Sequence, residues 1–242
     1  MPFYKKIHVD SKTVVLVWKI SESFNELFRS VSLKDNSLAR MEGMKSESHQ
    51  KGFLAVRMLL QQAGYTDFDL YYDEFGKPHL KDGKHISISH SFDFSVIVLS
   101  DRNIGIDLEL RRDLVKKIAR KFAAEKFVYE SEHNSDDFIR KLTVIWGVKE
   151  AVFKVRNEIG ISFKEHIFVR PFEMDDKQTI SLLDFNDTKQ EFEVFFTEAK
   201  IASVSRGCNV LKSNKSALIS GLFVNVSNAQ CTPAPNEIIV TS

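Results

Sequence analysis

The most constraining stretch of this chain is residues 86–109, where three short β-patterned runs follow one another between turns. Ile86-Ser87-Ile88-Ser89 alternates strictly between apolar and polar, as a half-buried strand does, with Ile86 and Ile88 inward and Ser87, Ser89 and Ser91 on the other face. Residues 96–99 are continuously apolar, as in a strand covered on both faces. Asp101-Arg102-Asn103 reads as a tight turn, after which Ile104-Gly105-Ile106-Asp107-Leu108-Glu109 alternates again. Together the three runs predict a meander of three strands.

The flanks complete the pattern. Upstream lie a β-branched strand at 13–20, a weak helix at 21–40, a better one at 46–63 stopped by Gly64, a strand at 68–72 and a turn at 73–76. Downstream come helical pattern at 114–127, a polar loop at 130–136, a longer helix at 137–156, and strands at 167–169, 179–183 and 191–196. This order predicts an α+β fold of two similar halves meeting near residue 105: 1–105, 106–200, and an uncertain segment at 201–242 where the pattern weakens.

Composition narrows the function classes. A chain of 242 residues buries a sizeable core without staples. Its formal net charge of +1 argues against bulk nucleic-acid binding and leaves room for a local basic pocket. The two cysteines, Cys208 and Cys231, form no Cys-x-x-Cys and have no His pair nearby, which argues against zinc and fits a reducing compartment. No run approaches the roughly 18 apolar residues of a membrane span, and the N-terminus lacks an apolar signal core. The expectation is a cytoplasmic protein whose 20 phenylalanines pack its core.

The chemistry concentrates on carboxylates. Residues i and i+2 of a strand share a face, so Asp107 and Glu109 point together. Like charges side by side repel unless neutralised, and Mg²⁺ binds one or two carboxylates while taking its other ligands from water and phosphates. A solvated sheet face fits the same spacing. In the helix at 137–156, stepping about 100° per residue gathers Leu142, Ile145, Trp146, Val152 and Phe153 into a core stripe with Lys149 in its middle. Burying an unpaired ammonium is costly, so Lys149 either snorkels to the helix edge or meets a bound anion. Glu150 and Lys154 lie on one flank at i, i+4. They are either a surface ion pair, or the third carboxylate of a metal site and a cation facing the phosphate it binds. In Ser87-Ile88-Ser89-His90-Ser91, adjacent strand residues point apart, so phosphate contact by hydroxyl and imidazole fits better than a Ser–His nucleophile. A plain structural histidine is the alternative.

Four segments then occur in order: Gly76-Lys77-Pro78, Ile86-Ser87-Ile88-Ser89-His90-Ser91, Gly105-Ile106-Asp107-Leu108-Glu109, and Trp146-Gly147-Val148-Lys149-Glu150-Ala151-Val152-Phe153-Lys154. Each resembles a signature of the 4′-phosphopantetheinyl transferase superfamily, and the resemblance covers roughly residues 46–172. The mid-chain position of Gly-Ile-Asp is similar to the double-length class first known from surfactin synthetase activation. That class implies two pseudo-symmetric halves in one monomer with the active site between them.

The resemblance implies Mg²⁺-dependent transfer of 4′-phosphopantetheine from coenzyme A to a serine of an apo-carrier protein, releasing 3′,5′-ADP. It implies Asp107, Glu109 and Glu150 as metal ligands, Glu150 as general base, and Asp107 and Lys154 as catalytic partners. It implies coenzyme contacts from Arg57, Lys77, Pro78, Ser89, His90, Lys149 and Lys154, with Gly76 in the turn and Arg40, Lys45 and Lys51 as further phosphate candidates. The implied partners are coenzyme A and an acyl or peptidyl carrier protein, with neither nucleic acid nor membrane. Lys121-Phe122-Ala123-Ala124-Glu125 loosely resembles the family's Phe-x-x-x-Glu segment, Gly147 stands where a serine is common, and nothing after about residue 200 matches the usual closing strand. An inactive relative that binds coenzyme A or a carrier, and a metal-dependent nuclease or phosphatase, are the competing readings.

Overall fold

A computed structural model describes residues 3–123, 136–200 and 216–222. The polar loop expected at 130–136 falls, apart from Asp136, outside the described residues. The fold is α+β, and its chain divides into two compact units. Among the described residues the first holds 3–106 and 154–157, and the second holds 107–123, 136–153, 158–200 and 216–222.

The first unit is built on a four-stranded antiparallel sheet in the order β1-β2-β6-β5. Its strands are β1 (Phe3–Asp10), β2 (Thr13–Lys19), β5 (His85–Ser91) and β6 (Phe94–Ser100). β3 (Leu70–Tyr72) and β4 (Pro78–Leu80) form a separate two-stranded hairpin. Helix α1 (Phe24–Arg29) starts on a capping box between Ser23 and Glu26, and α2 (Asp35–Glu42) follows, so the weak helix expected at 21–40 is two short ones. Helix α3 (Glu47–Gln62) packs on β2 and β6. Its Phe53, Val56, Leu59 and Leu60 join Leu16, Trp18, Ile97 and Leu99 in one apolar core.

The second unit carries a five-stranded sheet in the order β7-β11-β10-β9-β8. These strands are β7 (Gly105–Leu110), β8 (Ile167–Val169), β9 (Gln178–Phe185), β10 (Thr188–Lys200) and β11 (Ser216–Leu222). Helix α4 (Leu114–Ile118) runs into a 3₁₀ turn, Ala119–Lys121. Helix α5 (Asp136–Arg156) buries Phe138, Leu142 and Ile145 against Val115, Ala119 and Phe122. The boundary between the units falls inside β7 and again inside the last turn of α5.

One expectation is corrected. β5 and β6 form the expected hairpin, but β7 is not its third strand. β6 is flanked by β5 on one edge and β2 on the other, so it has no edge to offer, and β7 opens the second sheet beside β11. The sequence pattern weakens after about residue 200, yet a further strand, β11, follows there and pairs antiparallel with β10 from Phe195↔Gly221 to Lys200↔Ser216. Among the described residues no helix is long and apolar enough to cross a membrane.

Candidate functional site

The first unit contains a cavity of about 440 Å³. Its wall combines α2 (Arg40), α3 (His49, Gly52, Arg57), the β3–β4 turn (Gly76, Lys77, Pro78), β5 (Ser87, His90) and the end of α5 (Lys154, Asn157). The β3–β4 turn needs Gly76, whose φ of 81° is one that side-chain-bearing residues avoid. Asp73 organises this turn by accepting from the amides of Lys77 (2.8 Å) and Phe75 (3.0 Å). The His79 ring, and then these amides, hold the Asp73 carboxyl below its usual range. At the other wall α5 ends on Asn157, whose left-handed φ of 49° is the kind of stop asparagine tolerates.

Several residues named from the sequence line this cavity, and their hydrogen bonds explain how they are held. Lys77 is half-buried and donates to the Val155 carbonyl at 2.5 Å and to Asn103 at 3.4 Å; burial lowers its pKa. Lys154 donates to Ser89 Oγ at 3.1 Å and to the Ile106 carbonyl at 3.0 Å. Ser87 Oγ in turn accepts from the Ile106 amide at 3.1 Å. Ser87 and Ser89 of this β5 face are therefore buried, and they meet the Ile106 amide and the Lys154 ammonium. His90 is exposed at the cavity, edge-on to His49 with ring centres 5.9 Å apart. Arg40 also lines it and lies over the Tyr72 ring at 4.5 Å. His49, Tyr72 and Asn157 were not legible in advance, because no spacing rule links α3, β3 and the end of α5. Lys45 and Lys51 are not among the lining residues.

Arg57 is held by a buried partner. It lines the cavity, but its guanidinium is 2% exposed and bound to the buried Asp67, Nε to Oδ1 at 2.9 Å. It also donates to the Phe53 carbonyl at 3.3 Å and stacks 3.4 Å over the Phe53 ring. Its charge is matched by a carboxylate, so it supports the wall rather than presenting a free cation.

In the second unit, Asp107 is buried on β7 and Glu109 is half-buried two residues on. The indole of Trp146 on α5 donates to Glu109 Oε1 at 3.0 Å. Trp146, read as core from the helical stripe, is thus also what orients a carboxylate. It is held by Phe122 and Phe163, with ring centres 5.0 and 5.4 Å away. Phe122 is a core anchor of the 121–125 segment, while Glu125 lies outside the described residues. Glu150 is half-buried on α5. Among the described residues no group of three or more His, Cys, Asp or Glu side chains is gathered closely enough to hold a metal ion by itself. The donor chemistry of the pair still suits Mg²⁺, a hard ion that takes one or two carboxylate ligands from a protein. The indole bond fixes the Glu109 carboxylate from outside, as partners of metal ligands do.

Lys149 lies in the core stripe as the sequence pattern predicts. Its ammonium is 4% exposed and donates to the Phe163 carbonyl at 2.5 Å and to the Ile167 carbonyl. These backbone carbonyls are what receives a lysine in the core stripe. Burial brings its pKa from 10.5 to about 8. Across that window the unfolded chain holds a proton that the folded chain lacks, so with metal chelated this group makes stability rise from about pH 8 to 10.5. Lys149→Met should flatten that slope. It should also cost about 1–3 kcal/mol at neutral pH by stranding buried carbonyls, measurable by thermal denaturation. An unchanged melting curve would contradict the tether.

Comparison with known proteins bears on both units. A model of the 4′-phosphopantetheinyl transferase superfamily matches residues 103–211. The chain is similar to the 4′-phosphopantetheinyl transferase gsp of Aneurinibacillus migulanus, 24% identical over 207 residues that span 83% of this chain and 85% of that protein. It is similar also to the 4′-phosphopantetheinyl transferase Sfp of Bacillus subtilis, 25% identical over 178 residues that span 68% of this chain and 77% of that protein.

Proposed function

We propose that this chain, which belongs to the 4′-phosphopantetheinyl transferase superfamily, is an enzyme that transfers 4′-phosphopantetheine from coenzyme A to a serine of an apo-carrier protein and releases 3′,5′-ADP. The observation that carries this reading is the cavity whose wall gathers Arg40, Lys77, His90 and Lys154. These are cationic and hydrogen-bonding groups suited to the three phosphates of coenzyme A. The enzyme works as a cytoplasmic monomer on these two partners, and a net charge of +1 supports a role without nucleic acid.

Lys77, from a turn rigidified by Asp73, and Lys154, at the end of α5, bind the phosphates, and His90 and Ser89 add hydrogen bonds. Gly76 and Pro78 shape the turn that lies along the adenine end. Mg²⁺ would be held by Asp107 and Glu109 with Glu150 as third ligand, and when bound it neutralises charge on the pyrophosphate oxygens. The carrier serine Oγ forms a new bond to the pantetheine-side phosphorus while the bridging P–O bond breaks in line, and the electron pair leaves on 3′,5′-ADP. Glu150 takes the serine proton, directly or through a water.

Incubation with coenzyme A, Mg²⁺ and a panel of apo-carriers should add one phosphopantetheine mass to at least one carrier. No mass gain on any carrier would sink the activity, and free phosphate released from a generic ester would point to a phosphatase. Lys154→Ala should raise the coenzyme A dissociation constant about 10–100-fold, the loss expected for hydrogen bonds to a charged group. Titration calorimetry giving the wild-type affinity would remove Lys154 from the site.

A further inference from the structure

Gly52 lies inside α3, where alanine is the better helix former. Its surroundings explain the glycine. A Cβ at this position would stand 2.9 Å from His90 Cδ2, closer than real Cβ atoms approach, and 3.4 Å from His90 Cγ. The helix cannot give way to relieve that contact. Its next residues Phe53, Leu54 and Ala55 are buried, and the Gly52 carbonyl accepts from the fully buried Ser95 hydroxyl at 3.1 Å. His90 is exposed at the end of β5, so its ring is the part that would move. Gly52 and His90 line the same cavity.

We propose that Gly52 is a positioning residue: the bare face of α3 at this point seats the His90 imidazole in the orientation from which it binds a coenzyme A phosphate. The inference rests on reading the cavity as the coenzyme site. It makes a helix glycine, otherwise only a weak point, part of substrate recognition.

The test is a double-mutant cycle on the full chain: wild type, Gly52→Ala, His90→Ala and both. Coenzyme A binding is followed by calorimetry, and KM for coenzyme A and for the carrier are measured separately. Gly52→Ala should raise the coenzyme A dissociation constant and KM about tenfold, the loss of one charge-assisted hydrogen bond, and leave the carrier KM unchanged. His90→Ala should do the same, and adding Gly52→Ala to it should weaken binding no further. In that background Gly52→Ala should instead raise Tm by about 2–4 °C, since alanine then meets no ring. A Gly52→Ala protein that folds only when His90→Ala is added would support the contact equally. Wild-type affinity in Gly52→Ala, equal weakening in both backgrounds, or failure of both Gly52 variants to fold would overturn the inference. A wild-type protein that binds no coenzyme A would overturn the cavity assignment itself, which separates the two failures.

Discussion

Asp67→Ala is expected to lower stability by about 3–5 kcal/mol, a larger effect than any other single truncation considered for the first unit. Asp67 and Arg57 form an ion pair with side chains 0% and 2% exposed. The carboxylate also accepts from the Lys34 amide at 3.0 Å and from Ser37 Oγ at 3.1 Å, so it ties α2 to α3. Removing it leaves a guanidinium in the core with its main acceptor gone, the situation in which a buried pair matters most. The pair's net contribution is much smaller than this truncation cost, so Arg57→Met combined with Asp67→Leu should recover most of the loss. Thermal denaturation should place Asp67→Ala about 10 °C below wild type. A fall of only a degree or two would mean that the guanidinium finds another acceptor once Asp67 is gone.

Arg57 illustrates where sequence reasoning stops. A helix position and a basic side chain are visible in the string, but Asp67 becomes its partner only when the chain turns back after Gly64. Lys149 is the mirror case. The helical stripe identified it correctly as misplaced, yet the carbonyls that accept from it belong to Phe163, in a segment with no periodicity of its own, and to Ile167, at the start of a strand whose position beside α5 no local pattern reveals. Local signals served well for elements: the strand at 13–20 is β2, the helix at 46–63 is α3, and the alternation at 104–109 is β7. Sheet membership was not legible, because strand pairing is non-local. β7 neighbours β11, more than a hundred residues on, rather than β6 next to it in the chain. Within the candidate site, the motif residues Lys77, Pro78, His90 and Lys154 line one cavity, whereas His49 and Tyr72 carry no motif and emerge only where α3 and β3 come to line that cavity together.

Asp107→Ala is expected to reduce phosphopantetheinyl transfer roughly a thousandfold or more, since several kcal/mol of charge stabilisation correspond to about tenfold per 1.4 kcal/mol. Asp107 is 3% exposed, in a strand whose neighbours Ile106 and Leu108 are both 1% exposed. In the proposed activity this carboxylate is a ligand of Mg²⁺, a hard ion that takes one or two carboxylates from a protein. Asp107→Asn separates charge from shape: it preserves the side-chain volume and one oxygen ligand, so it should fold normally and still lose most of the activity. The measurement is carrier mass gain against Mg²⁺ concentration for wild type and both variants. If the carboxylate holds the metal, Asp107→Asn should need a higher Mg²⁺ concentration for half-activation, while Asp107→Ala stays inactive at saturation. Full activity of either variant at the wild-type Mg²⁺ requirement would remove Asp107 from the metal site. Glu109, fixed by the Trp146 indole, would then have to hold the ion without it.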